Sequence, residues 1–201
     1  MVFLRNGIDL SQRPRGRPRS FDADVALKAA SERFRTHGFA GTSLDELSDA
    51  TGLARPSLYA AFGDKRALYI AALVRLTERV DRSFATLVGL DLTVREVTER
   101  MLLGAIQGYM SGEKGPSGCL LIGTATAEAA ADPEVRAALG KFLAIEDRWI
   151  EELLAAAGST RPAASAVVVA SVLHSLSVRA RAGESREALE RIARDCADMV
   201  V

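Results

Sequence analysis

Guanidinium groups dominate the chemistry available at the start of the chain. Arg5, Arg13, Arg15, Arg17 and Arg19 stand in the first twenty residues against one acidic residue, Asp9. Residues 12–20 read Q-R-P-R-G-R-P-R-S, a Pro/Gly/Arg arm that cannot be helical. Each guanidinium is a planar fork of N–H donors that matches phosphate oxygens. The whole chain sets 26 Lys and Arg against 26 Asp and Glu, but unevenly. Residues 1–66 carry 11 basic and 8 acidic side chains, and residues 67–201 carry 15 and 18. The neutral total argues against a histone-like or polybasic membrane protein, while the basic leading end points one end of the molecule at a polyanion. A solvated tail is the plainer alternative for the arm.

Thiol and imidazole chemistry is sparse. Cys119 and Cys196 are 77 positions apart with no CxxC spacing, which excludes a disulfide scaffold and a Cys-rich zinc module and fits a reducing cytosol. Cys119 follows Gly118 at an expected helix start, where the helix dipole would favour thiolate; electrophile or redox sensing therefore stands beside simple packing as a reading of it. Cys196 reads as packing. His37 and His174 have no partner at ligand spacing, so neither a metal nor a cofactor is expected. The chain has no HExxH, no ExxH pair, no GxSxG and no Gly-rich phosphate loop, and no enzyme is expected. The longest strongly apolar stretch, 166–173, is short of the roughly 20 residues of a membrane span. The opening four residues are too short for the apolar region of a signal peptide. A soluble cytoplasmic protein follows as the expectation, with no membrane partner.

The elements that must position these groups are helices. In 201 residues, 48% of them hydrophobic, the apolar spacing is helical almost throughout and strict alternation is absent. The pattern Ala26, Leu27, Ala30, Phe34 starts after Asp22 and stops at Gly38, expected as a left-handed cap. Ser43 and Glu46 form a capping box that opens a short helix ending at Gly52. A second short helix spans 55–62, and Asp64 caps a long one over 65–88. Helices over 93–111, 119–130, 132–157, 162–183 and 185–199 complete an all-α fold of about nine helices. Thr93 with Glu96, and Asp132-Pro133-Glu134, are further start signals. The domain reading is an arm, 1–20, a head, 21–66, and a body, 67–201.

A capped short helix, a glycine turn and a second short helix form the helix-turn-helix pattern, whose second helix enters the major groove of DNA. The residues sharpen it: Ala26-Leu-Lys-Ala-Ala, His37-Gly-Phe39, Thr42-Ser-Leu44, Thr51-Gly-Leu53 and Ser57-Leu-Tyr-Ala-Ala-Phe-Gly-Asp-Lys65 resemble the head of the tetracycline-repressor (TetR) family of bacterial transcription regulators. The match is continuous over about residues 21–69, and beyond residue 70 it is architectural. The resemblance implies that Thr42, Ser43 and Lys65 contact phosphates and that Arg55, Ser57 and Tyr59 present the exposed face of the recognition helix. Such roles are chemically apt, because hydroxyls and helix N-termini hold phosphates and an arginine forks onto guanine. Leu44, Leu47, Leu53, Leu58 and Phe62 read as head core. Ala54 departs from the family's usual Ser or Thr cap, and Pro56 in the first turn compensates in part. Arg15, Arg17 and Arg19 resemble arms that read a narrow minor groove.

For the body, the helix from Pro162 is apolar all round and needs cover on both sides. Ala166, Val169, Ala170, Leu173, Leu176, Leu189 and Ile192 are the expected homodimer interface, and the resemblance implies the same dimer on a palindromic operator. It also implies a small-molecule effector pocket framed by the helices over 93–111, 119–130 and 133–157. Met101, Leu102, Ile106, Tyr109, Met110, Cys119, Ile122, Thr126 and Trp149 are its candidate lining, an apolar set suited to a hydrophobic or aromatic molecule. The function read from the sequence is a ligand-responsive repressor. A thiol-based sensor, a structural DNA-binding protein without an effector and a helical interaction dimer remain as alternatives.

Overall fold

The computed structural model describes residues 21–113 and 115–201. Arg15, Arg17 and Arg19 lie outside the described residues. Among those described there is no strand.

Three helices build the head: α1 (Ala23–Gly41) and the short α2 (Leu44–Thr51) and α3 (Arg55–Phe62). The long α4 (Lys65–Ala85) leads into α5 (Val94–Tyr109), and a π-helical turn, Leu121–Ala125, runs into the short α6 (Thr126–Glu128). The remainder is α7 (Pro133–Ala156), α8 (Pro162–Arg181) and α9 (Arg186–Met199). Local chemistry sets most of the starts. Asp22 accepts from the N–H groups of Asp24 and Val25, Ser43 and Glu46 close a capping box, and Asp64 accepts from Ala67 N–H. Thr93 and Glu96 close a second box, and Asp132 accepts from Glu134 and Val135. Each satisfies N–H groups that the first turn leaves without partners.

Three expectations are corrected here. Gly38 does not end α1 as a left-handed cap; at φ 75°, ψ 174° it kinks the element, which continues to Gly41. The long helix from Lys65 stops at Ala85, where Thr86 N–H and then Leu87 N–H fold back as turns. The 119–130 segment is helical over 120–128 but is not a uniform α-helix: a π turn over Leu121–Ala125 runs into α6, and Cys119 N–H donates to Ser177 Oγ of α8 at 2.8 Å.

Two apolar clusters fill the interior. One joins α5, α8 and α9 with the end of α7, through Met101, Leu102, Ile106, Ile150, Leu154, Leu173, Leu176 and Leu189. The other starts in the head with Phe34, Leu47 and Leu58, passes through Leu68, Tyr69 and Leu73 of α4, and ends on Leu121 and Phe142 of the body. Leu44, Leu53 and Phe62 pack half-buried against this second cluster. The head core thus continues past residue 66 into the body. By length and composition α8 is apolar enough to cross a membrane, a reach that the 166–173 run understates. Here its inner face packs on α5, α7 and α9.

Ala54 precedes α3 in extended backbone and offers no cap, while Pro56 stands in the first turn. Restoring a hydroxyl should therefore stabilise the head. Ala54→Ser is expected to add about 1 kcal/mol and raise the melting temperature by about 2–4 °C for a chain of this size. Thermal unfolding followed by circular dichroism checks it, and an unchanged or lower Tm refutes it.

Candidate nucleic-acid interface and body cavity

The second short helix is held by one side and bare on the other. Leu58 is buried under α3 and Phe62 is half-buried one turn on, while Arg55, Ser57 and Tyr59 are exposed. Gly52 makes the turn before it with φ 67°, ψ 16°, a left-handed conformation that glycine adopts without strain. Ser43 is exposed at the start of α2, and its oxygen accepts Glu46 N–H, which leaves its O–H free to donate outward. Lys65 opens α4 with its Nζ 4.6 Å from the centre of the Phe39 ring. The two helix N-termini thus set a hydroxyl and an ammonium beside α3. Thr42 is placed otherwise. It is buried, and its hydroxyl donates to Gly38 O at 2.7 Å, so its side chain is not presented for the phosphate contact the resemblance implies.

One residue of this surface escapes sequence reasoning. Asp45 of α2 accepts from Arg55 Nε at 3.0 Å and Nη2 at 2.5 Å through a single oxygen, Oδ1. The pair spans the turn and holds the guanidinium in place while leaving it exposed. Its only sequence signal is an acid two residues into a capping helix, which reads as a dipole partner.

Arginines tie the head to the body. Arg35, 8% exposed, donates from Nη1 to the carbonyl of Gly108 at the end of α5 (3.0 Å) and pairs with Glu32 at 2.6 Å. Arg181 of α8 donates back to the Arg35 carbonyl at 2.8 Å. Arg66 grips Asp132 before α7 with both nitrogens of its fork, at 2.5 and 2.8 Å, and this holds the Asp132 carboxyl down at about 2. Tyr69 and Thr124 share a buried hydroxyl bond of 2.7 Å. These bonds fix α1 and α4 to the body.

Between α1, α4, α5, α7 and α8 lies a cavity of about 440 Å³. Of the nine candidate lining residues, Met101, Tyr109 and Cys119 face it. The other six are elsewhere. Leu102 and Ile106 are fully buried in the body core, and Met110 packs on that core past the end of α5. Ile122 turns toward the head cluster, and Thr126 is exposed. Trp149 donates from Nε1 to Asp81 Oδ1 at 2.6 Å under the Arg148 guanidinium. The lining is also more charged than an apolar set: Lys28, Arg35, Arg75, Arg79 and Arg100 meet Glu32 and Glu146 there. Sequence reasoning missed these because alternating charges on α4 and α5 read as solvated faces. Glu146 alone left a signal, a carboxylate in the row Phe142, Glu146, Ile150 of buried positions on α7.

The thiol reading loses its premise. Cys119 is buried ahead of the π turn, and burial pushes its thiol up to about 11 against the nearby N–H groups of Ile122 and Leu121. Burial likewise raises Tyr109 well above its usual 10.0. Both stay protonated at neutral pH. Among the described residues no cluster of three or more His, Cys, Asp or Glu is placed to hold a metal ion.

Glu146 is 3% exposed, and its Oε2 lies 2.6 Å from His174 Nε2. That bond raises the histidine pKa above 6.5 in spite of desolvation. A group raised in the fold contributes stability that is complete below its unfolded pKa and lost as pH climbs through the folded value. The melting temperature should therefore fall as pH rises above about 6.5 more steeply in the wild type than in His174→Gln. Parallel curves would remove the pair from the stability of the fold.

The expected dimer residues are displaced. Ala166, Val169, Ala170, Leu173, Leu176 and Leu189 are buried within the chain against α5, α7 and α9, and Ile192 packs half-buried on the same core. Periodicity on an all-apolar helix does not say which side faces in. The outer side of α8 carries Val167 (65% exposed), Val168 (42%) and Val178 (57%) among exposed Ala164, Ser171 and Ser175.

A capped helix, a glycine turn and a bare-faced second helix, borne on a helical body with an internal cavity, is the build of a helix-turn-helix transcriptional regulator. Residues 26–72 match the model of the tetR family of bacterial regulatory proteins. The chain is 31% identical over 193 residues to the HTH-type transcriptional repressor ComR of Escherichia coli, covering 90% of each, and 30% identical over 174 residues to the repressor BdcR of the same organism, covering 87% of this chain and 86% of that one. The TetR family regulator CifR, solved with 26-base-pair operator DNA, superposes with a TM-score of 0.75 at 30% identity, over 90% of this chain and 98% of that one. The chain belongs to the tetR family of transcriptional regulators.

Proposed function

We propose that the protein is a ligand-responsive repressor that binds a palindromic operator as a homodimer and leaves it when a small molecule occupies the body cavity. The observation that carries the reading is α3, fixed from beneath by Leu58 and presenting Arg55, Ser57 and Tyr59 beside Ser43 and Lys65. Arg55, Ser57 and Tyr59 read base edges, Ser43 and Lys65 hold phosphates, and Arg15, Arg17 and Arg19 follow the minor groove. Residues 21–66 form the reading unit and residues 67–201 the effector and dimer unit, with one core shared between them. The outer face of α8 meets the same face of a second copy. The relatives ComR and BdcR are repressors by name, which supports repression, and CifR is solved on operator DNA, which supports a DNA partner. A DNA partner supports a cytoplasmic location.

Effector binding would act through the joint. The cavity touches α1 at Arg35 and α4 at Arg79, so a ligand that moves either one re-spaces the two heads. The test is to sequence the genomic fragments that the purified protein retains at near-physiological salt. A shared palindrome supports the reading. Retention without a shared sequence means a structural DNA-binding protein, and no retention means the head does not bind DNA unaided.

A further inference from the structure

The cavity wall carries more positive charge than its own carboxylates answer. Five cations line it against Glu32 and Glu146. Arg35 is taken up by Glu32, Arg75 by Asp24 at 2.7 Å, and Glu146 by His174. Lys28, Arg79 and Arg100 have no carboxylate within ion-pair distance among the described residues. All three are exposed, so they form the mouth, whereas Met101, Phe142, Leu173 and half-buried Tyr109 form the deep wall. Like charges gathered around one opening repel one another, and an anion placed among them is held.

A second observation is independent of the first. Arg35 is more than nine-tenths buried on this wall, and its Nε has no hydrogen-bond partner. Such a buried donor is costly unless an acceptor comes to it. A third concerns shape. α5 presents Arg100, Gly104 and Gly108 to the cavity at intervals of one turn, and a Cβ added to either glycine would meet nothing within 4 Å. Glycine inside a helix is less favourable than alanine, and here it keeps a channel open from the mouth inward.

We propose that the cavity takes an organic acid, its carboxylate held at the mouth by Lys28, Arg79 and Arg100 and its aromatic or aliphatic body lying along Gly104 and Gly108. The deep wall fixes the direction: Glu146 there is taken up by His174, and Met101, Phe142 and Leu173 are apolar, so the cations left without a carboxylate are those of the mouth. The volume of about 440 Å³ suits a body of drug-like size. This narrows the effector of the regulator proposed above, and only its regulatory consequence rests on that reading.

The test compares three probes of one shape: 1-naphthoate, 1-naphthamide and 1-naphthylmethylammonium, titrated calorimetrically into the full-length protein. Naphthoate is expected to bind about tenfold or more tighter than the amide, with the ammonium weakest. The double variant Arg79→Gln/Arg100→Gln should close most of that gap, and added salt should narrow it in the wild type. Gly104→Leu, which fills the channel, should abolish binding of all three; the melting temperature of each variant separates lost binding from lost folding. Equal affinity for acid and amide, a gap that survives in the double variant, or no saturable naphthoate binding overturns the proposal. Operator binding measured alongside keeps the two readings apart. Acid-selective binding that leaves operator affinity unchanged refutes the effector role and keeps the acid site. Release by the amide as readily as by the acid does the reverse.

Discussion

Arg55→Ala should weaken binding to the operator by about 30-fold or more while moving the affinity for unrelated duplex by no more than about twofold. The asymmetry follows from where the side chain stands. Arg55 is the first residue of α3, exposed, and positioned by Asp45 through its Nε and Nη2. A guanidinium presented this way can fork onto guanine, a contact worth about 1–3 kcal/mol, and a dimer on a palindrome loses it twice. The phosphate contacts proposed for Ser43 and Lys65 are untouched, so non-specific binding should persist. Asp45→Asn is the companion: it frees the guanidinium without removing it, so it should cost less specificity than Arg55→Ala and should not weaken non-specific binding. Fluorescence anisotropy on the enriched operator and on a scrambled duplex, across a salt series, reads all of these. An equal loss on both duplexes would make Arg55 a phosphate contact. No loss on either would take α3 out of the groove.

The exposed place of Arg55 on α3 was legible in the sequence, whereas its pairing with Asp45 was not. Cap chemistry is local, so Asp22, Ser43 with Glu46, Asp64, Thr93 with Glu96, and Asp132 all mark helix starts that the structure contains. The inward set of the head was legible for the same reason: Leu47 and Leu58 sit at helical spacing in segments too short to have two apolar faces. What depends on tertiary geometry was not. The Asp45–Arg55 pair spans two helices, and the hydroxyl of Thr42 is consumed by a carbonyl that the Gly38 kink brings to it. Arg79 and Arg100 lie on helix faces that the pattern assigns to solvent, and only the cavity that α4 and α5 both line makes those faces one mouth. Cys119 carried the wrong sign, because proximity to a helix start is readable and burial is not.

The outer face of α8 yields the other large effect. Ala164, Val168, Ser171, Ser175 and Val178 follow one another at alternating steps of four and three, the spacing of a seam between two helices crossing at a shallow angle. All five are exposed, and the small serines and alanine permit close approach by a second helix. In the proposed two-fold interface every substitution occurs twice, so Val168→Asp would set two carboxylates on an otherwise apolar and small-residue seam. The variant is expected to run as a monomer at micromolar concentration in sedimentation velocity. Its operator affinity should fall by about two orders of magnitude or more, because two linked heads bind a palindrome far more tightly than one. Since Val168 faces outward, the helical content and melting of the monomer should stay close to those of other exposed-residue variants. Leu173→Ala on the inner face makes the contrast. It empties a buried position and should cost about 2–5 kcal/mol of stability while the protein remains dimeric. If Val168→Asp stays a dimer and Leu173→Ala does not, the two faces of α8 have been assigned the wrong way round.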